Sequence, residues 1–257
     1  MKQTALITGA TSGIGLELAR LFAKDKYNLV LVARKRDELK RVADELATTY
    51  KVNVQTAAID LGEVGAAQSL MAKLERANIT VDVLVNNAGF AQVGPFATND
   101  RAKDLGVLQL NIVALTELTK LVVPGMLKRK RGRILNLGST AAFQPGPFMA
   151  VYYASKAYVL SFSQALSEEL RGTGVTVTCL CPGPTKTGFQ ARANSQNIQL
   201  FKGPMMDAAA VAAIGYRALL HGERVVVPGF MNSLQAFAAR RLSPDWLVLR
   251  IVRRLQE

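Results

Sequence analysis

Tyr152, Tyr153 and Lys156 fall within one short stretch, AVYYASKAY. A phenol is a proton donor that titrates near 10, and a lysine cation beside it favours the ionised form. On a helix, a residue four places before another lies almost directly over it, and one three places before sits rotated but adjacent. The spacing therefore favours Tyr152 without excluding Tyr153. A second stretch, TGATSGIG, brings Gly9, Gly13 and Gly15 together directly after an apolar run. Glycines there permit a tight turn, let backbone N–H groups approach phosphates, and aim the positive end of the next helix at a pyrophosphate.

Rigid elements must hold these residues. Runs rich in Val, Ile and Leu recur as TALIT, NLVLVAR, NVQTAAID, VDVLVNNAG, RILNLGS, VTVTCLCPG and RVVVPG. Segments with helical spacing and charged faces separate the first six, among them Arg36 to Thr49 and Glu63 to Ala77. Strands apolar on both faces that alternate with helices predict a parallel sheet covered on both sides. The expected fold is α/β: a single Rossmann-type, doubly wound, parallel seven-stranded sheet flanked by helices. The glycine turn opens its first βαβ unit, where a dinucleotide crevice would lie.

Residues 1–229 make that domain. Pro182 to Met206 breaks its rhythm with Gly, Pro and polar residues, which reads as a lid over 188–206. A helix capped by Asp207 and closed by Gly222 should follow. Residues 230–257 form a helical extension of two short patterns separated by LSPD, packed on the domain, a partner subunit or a membrane.

The glycine spacing, with NNAG at 86–89, Ser139, YYASK and PGPTKT from Pro182, resembles the classical short-chain dehydrogenase/reductase family over roughly residues 4–187. In that family the catalytic tyrosine stands four residues before the lysine and commonly thirteen after the serine. Ser139 to Tyr152 is thirteen and Tyr152 to Lys156 is four. Tyr152 is therefore the expected acid, and Tyr153, about 100° away on an ideal helix, a packing or interface aromatic. The resemblance implies a catalytic set of Asn111, Ser139, Tyr152 and Lys156. Tyrosine gives a proton to a carbonyl oxygen while hydride reaches the carbon, serine stabilises the developing charge, and asparagine holds a water beside the lysine. Bringing the phenol to about 7 takes roughly 4 kcal/mol. A lysine cation about 4 Å away, at an effective dielectric of ~20, supplies that order of energy. Lysine would also hold the nicotinamide ribose.

The resemblance further implies NADP(H), held by Gly9, Thr11, Ser12, Gly13, Ile14 and Gly15 in the loop and by Arg34 after the second strand. Relatives that use NAD usually carry an acid at the end of that strand, which would repel a 2′-phosphate. Here Ala33 takes its place and Arg34 follows. Ser12 occupies a position where many NADP-type relatives carry Lys or Arg. Asp60 and Leu61 would meet the adenine, with helix capping a rival role for Asp60. Asn86 and Gly89 would shape the floor under the ribose, mostly through structure, with Asn87 and Ala88 beside them. Pro182, Gly183, Thr185 and Thr187 would contact the carboxamide and pyrophosphate, beside Tyr152 and Lys156. The implied enzyme is an NADP-dependent oxidoreductase. The rival from another class is a non-catalytic dinucleotide-binding redox sensor or scaffold, which would not need the intact catalytic set.

Composition bounds the rest. The chain has 257 residues, 49% hydrophobic, with Lys and Arg exceeding Asp and Glu by 13. The basic residues are dispersed and no nucleic-acid module is recognisable, so a basic solvated surface is expected and no nucleic-acid partner. No uninterrupted apolar run reaches membrane-span length. Cys179 and Cys181 would share one face of a strand as reduced thiols, which fits a cytoplasmic protein. No metal is expected, and a homodimer or homotetramer is. Phe90, Phe96, Phe143, Phe148, Phe189 and Phe201 suggest an apolar substrate pocket. In the tail, Val248, Ile251, Val252 and Leu255 fall on one helical face with Arg250, Arg253 and Arg254 on the other. That helix either docks on protein or makes a weak peripheral membrane contact.

Overall fold

Six of the Val-, Ile- and Leu-rich runs become β1 (Thr4–Thr8), β2 (Asn28–Ala33), β3 (Val54–Ala58), β4 (Val83–Asn86), β5 (Gly132–Leu137) and β6 (Val175–Leu180). The computed structural model describes residues 2–189, 203, 205–241 and 244–256. A short β9 (Val225–Val226) completes a seven-stranded parallel sheet in the order β3-β2-β1-β4-β5-β6-β9. β1 pairs with β2 from Thr4 opposite Asn28 to Thr8 opposite Val32, and with β4 from Ala5 opposite Val83 to Ile7 opposite Val85. Chain order reverses between β1 and β4, so the loops leaving those two strands diverge and open a crevice.

Strand periodicity sends alternate residues to opposite layers. Ala5, Ile7, Leu29, Leu31, Val83 and Val85 join one core with α1 (Gly13–Lys24), α2 (Arg36–Tyr50) and α7 (Ala208–His221). Leu6, Val30, Val32 and Leu84 join the other, with α3 (Ala66–Arg76) and α5 (Leu115–Lys128). α6 (Ala150–Glu169) adds Leu166, and its C-cap adds Leu170, to that second layer. In α1 the buried Ile14, Leu18, Ala19, Phe22 and Ala23 lie on one helical stripe. Each fully buried Leu, Ile or Phe of this kind contributes about 1.5–3 kcal/mol relative to exposure.

Local chemistry moved some boundaries. α3 begins at Ala66 rather than Glu63, because Gly65 takes a left-handed φ of 80° at its N-cap. Asp207 does precede α7, but its side chain makes no capping bond, while Gly222 closes the helix at φ 71° as expected. The helix before β5 runs through α4 (Arg101–Leu108), a π-helical turn (Gln109–Ala114) and α5. As a whole, Arg101–Lys128 is long and apolar enough to cross a membrane by length and composition alone, which the sequence did not lead us to expect. Leu115, Leu118, Val122 and Met126 are buried in the domain, so it serves as a core helix.

Most of the expected lid lies outside the described residues, as does Phe201. At its ends, β7 (Thr185–Lys186) pairs in parallel with β8 (Met206–Asp207), bringing the segment's two roots together. The two terminal helical patterns are α8 (Phe230–Arg241) and α9 (Asp245–Gln256). Cys179 and Cys181 are buried free thiols with sulfurs 3.6 Å apart.

Candidate active site

The glycine loop is fastened from two sides. Gly9 N donates to Val32 O at 2.8 Å, and the Asn87 side chain donates to Thr8 O at 2.8 Å and to Gly9 O at 3.1 Å. The Thr8 hydroxyl accepts from Asn87 N and Ala88 N, both at 2.9 Å. Gly9 has φ 66°, and a Cβ there would lie 2.8 Å from Asn87 Nδ2. Gly13 has φ 57°, and a Cβ there would lie 3.0 Å from Thr187 Cγ2. Glycine is thus required by conformation and by space, and the cradle is built to let a ligand's phosphates approach backbone.

Asn86 plays a structural part. Its side chain turns into the opposite layer, where Nδ2 donates to Thr119 Oγ1 at 3.0 Å and to Asn136 Oδ1 at 2.9 Å. Successive strand residues point to opposite faces, so only one of the two neighbouring asparagines can reach the loop, and it is Asn87.

Tyr152 and Lys156 project from the first turns of α6. Ser139 sits at the end of β5, starting the 3₁₀ turn Thr140–Phe143, and its Oγ accepts from Ala141 N at 3.1 Å. The same hydroxyl is placed to favour the ionised form of the Tyr152 phenol. Lys156 Nζ donates to Leu137 O at 2.7 Å and lies 5.7 Å from the Tyr152 ring centre. Asn111 lies in the π-helical turn, a distortion that recurs at functional sites. Its Oδ1 accepts from Phe90 N at 3.2 Å, and its Nδ2 donates to Phe90 O at 3.0 Å and Ser155 Oγ at 3.1 Å. Ser155 in turn donates to Tyr152 O at 2.7 Å. All four expected catalytic residues are brought together, Asn111 through Ser155.

The electrostatics differ from the simple lysine argument. Burial holds the Tyr152 phenol well above its ordinary value, with the Ser139 hydroxyl acting the other way. Burial also lowers Lys156 from 10.5 to about 8, against the pull of Cys179 and Cys181. In this arrangement Lys156 does not bring Tyr152 towards neutrality, because both groups are desolvated. Tyr152 stays protonated at neutral pH, as a proton donor must.

A stability prediction follows from Lys156. Between pH 8 and 10.5 the unfolded chain binds more protons at this residue than the folded one. The desolvated cation therefore destabilises the fold below pH 8, and stability recovers as the pH rises, by about 3 kcal/mol at most. In urea unfolding, the protein is expected to gain on Lys156→Met as the pH rises from 8 to 10, whereas parallel curves would contradict that environment.

Gly9, Thr11, Ser12, Gly13 and Ile14, then Arg34, Asp60, Leu61, Asn87, Ala88 and Gly89, line one cavity of about 930 Å³ with Tyr152 and Lys156. Pro182, Gly183, Thr185 and Thr187 line it too, while Gly15 lies beneath the loop against Asn87. Arg34 is 70% exposed and its Nη1 lies 3.6 Å from Asp60 Oδ2. Such an exposed pair is worth little and leaves the guanidinium open to a phosphate. Asp60 Oδ1 accepts from Gly62 N at 2.9 Å, closing a turn rather than capping α3. These residues fit a dinucleotide carrying a 2′-phosphate.

Sequence reasoning passed over Lys35, Glu38 and Gln144, which also line the cavity. The ARKR run carried the signal for Lys35. Among the expected aromatics, Phe90 and Phe189 face the cavity, whereas Phe143 packs near Cys179 and Cys181, Phe96 is 71% exposed, and Phe148 lies under Arg253.

The profile described as short chain dehydrogenase matches residues 3–198. The chain belongs to the short-chain dehydrogenase family. It is an oxidoreductase of that family. This short-chain dehydrogenase is similar to very-long-chain 3-oxoacyl-CoA reductase of Homo sapiens, 30% identical over 255 residues covering 96% of this chain and 78% of that protein. It is 40% identical to sulfoacetaldehyde reductase 2 of Chromohalobacter salexigens over 191 residues, covering 74% of this chain and 75% of that one. A short-chain dehydrogenase from Sphingobium yanoikuyae, solved in complex with NADPH, shares 34% identity and a TM-score of 0.82 over 89% of this chain and 88% of that chain.

Proposed function

We propose that this short-chain dehydrogenase is an NADP(H)-dependent reductase of ketones or aldehydes that carry an apolar, acyl-chain-like group. The observation that carries this reading is one cavity in which the Tyr152 phenol and Ser139 share the lining with the glycine loop and the apolar Met149, Phe189 and Ile251. The bound cofactor supplies hydride to the carbonyl carbon. Tyr152 gives its proton to the carbonyl oxygen, and Ser139 donates a hydrogen bond to the same atom as charge develops there. Lys156 holds the ribose and, as a nearby cation, steadies the phenolate left behind. Asn111 fixes Phe90 and Ser155, and one Oδ1 lone pair remains for a water that returns protons past the lysine.

Arg34, with Lys35 beside it, takes the 2′-phosphate. The NADPH complex of the Sphingobium yanoikuyae protein and the reductase names of the two relatives support the cofactor and the direction. The test is NADPH oxidation with ketones and aldehydes of increasing apolar length. Rising kcat/KM with length is expected, whereas NADPH binding without turnover of any carbonyl would favour the redox sensor or scaffold.

Residues 1–229 act as the catalytic domain and 230–257 as an extension that completes its cavity. The protein works as a homodimer or homotetramer through α5 and α6, where the apolar Leu121 and Tyr158 remain partly exposed, as does Val113 in the preceding π-helical turn. Light scattering checks this, with Leu121→Glu expected to lower the mass.

The tail also meets a membrane weakly, in a cytoplasmic protein with reduced thiols. Its lipid-facing group differs from the stripe expected from sequence, since Val248 and Val252 are buried on the domain. Phe230, Phe237 and Trp246 are instead 80%, 57% and 65% exposed, and Trp246 shares its helix with the exposed Arg250 and Arg254. Apolar side chains beside arginines suit an anionic bilayer surface. Co-sedimentation with phosphatidylserine vesicles at low salt, weakened by Trp246→Asp, is expected. No sedimentation of the full chain would end this part of the reading.

A further inference from the structure

Val248, Val252 and Gln256 recur every four residues along α9, and all are buried, at 6%, 2% and 4% exposure. Val248 and Val252 pack with Ala91, Ala141, Met149 and Tyr153, against Tyr152 and Phe189. Gln256 Nε2 donates to the Tyr153 hydroxyl at 2.8 Å, a bond between residues 103 positions apart. Arg253 stands over the Phe148 ring at 5.7 Å, on the loop that leads into α6. The last helix is therefore fastened to the residue next to the catalytic tyrosine, and the two tyrosine rings meet edge to face at 6.1 Å.

The neighbouring stripe of α9 carries Ile251 and Leu255, which are 51% and 37% exposed and line the same cavity as Tyr152 and Lys156. No polar group intervenes between them on that stripe. A buried glutamine at the end of an apolar seam costs desolvation unless bonded, so it fixes the register of the helix on the domain. Its Oε1 has no partner among the described residues. Among the described residues, the amide hydrogen bond of Gln256, the Arg253 contact and the two valines help hold α9 on the domain.

We propose that α9 is the substrate-side wall of the active-site cavity, held by Gln256 on Tyr153, and that Ile251 and Leu255 set the length or bulk of apolar group accepted. This rests on reading the site as a carbonyl reductase. Gln256 and Tyr153 are positioning residues, since they act through the helix rather than on the reacting carbonyl. An apolar chain leaving the carbonyl would run along Ile251 and Leu255, while a short substrate would not reach them.

The test uses full-length protein saturated with NADPH, so that a product alcohol binds without turnover. Trp246, the chain's single tryptophan, sits in the first turn of α9 and reports on it by fluorescence. Calorimetry and Trp246 emission follow 2-dodecanol and 2-butanol. Ile251→Arg is expected to weaken 2-dodecanol roughly tenfold to hundredfold and 2-butanol about twofold at most. Leu255→Arg is the second variant, should the first misfold. Gln256→Leu and Tyr153→Phe should each raise KM for a long ketone more than they lower kcat, and combining them should add little.

Equal losses for both alcohols, no response to either arginine, or additive effects of Gln256→Leu and Tyr153→Phe would overturn the wall. So would failure of the unmodified protein to bind 2-dodecanol. If no carbonyl is reduced while 2-dodecanol still binds in an Ile251-dependent way, the activity assignment fails and the wall stands.

Discussion

Tyr152→Phe should reduce kcat by about 10²–10⁴-fold while leaving NADPH affinity nearly intact. The substitution removes one oxygen, the atom that carries the transferable proton, and keeps the ring that packs against Phe189 at 5.6 Å. Ser139 keeps its bond from Ala141 N. Tyr153→Phe should spare proton transfer, because the Tyr153 hydroxyl is occupied by Gln256 and burial pushes its pKa up to about 12. Steady-state rates, with NADPH binding read by energy transfer from Trp246, separate the two. A lethal Tyr153→Phe beside an active Tyr152→Phe would reverse the assignment.

The second large effect concerns coenzyme choice. Ala33 ends β2 and lines the cavity, and Arg34 follows it with its guanidinium largely in solvent. Replacing Ala33 with Asp and Arg34 with Ser exchanges a charge-assisted phosphate contact for a carboxylate that repels phosphate and accepts from ribose hydroxyls. Losing the contact and adding the repulsion is worth about 3–5 kcal/mol together, or roughly 10²–10⁴-fold in the NADPH to NADH ratio of kcat/KM. A double variant that still prefers NADPH, or an unmodified protein that prefers NADH, would contradict the role given to these positions.

Much of the fold was legible because its strands are buried on both faces, so their apolar runs stand out without any partner information. The same holds for the glycine loop, whose left-handed φ values admit few other residues. Side-chain direction was less legible. NNAG does not say which asparagine turns to the loop, and only the register of β4 between β1 and β5 settles it for Asn87. The π-helical turn at Asn111 leaves no local pattern, since Gln, Leu, Asn, Ile and Val suit an α-helix equally well. The spacing put Lys156 beneath Tyr152 on the helix, but it could not show that the lysine would be buried in the folded chain, with its Nζ bonded to Leu137 O. The contact between Gln256 and Tyr153 joins the chain's end to its middle, and no spacing rule reaches that far.

The most direct measurement follows hydrogen isotope from cofactor to product. With NADPH carrying two deuterium atoms at nicotinamide C4 and a long-chain ketone as substrate, the alcohol should carry one deuterium at its carbinol carbon, and Tyr152→Phe should form almost none. Full-length, folded protein that binds the cofactor yet transfers no deuterium to any ketone or aldehyde offered would contradict carbonyl reduction.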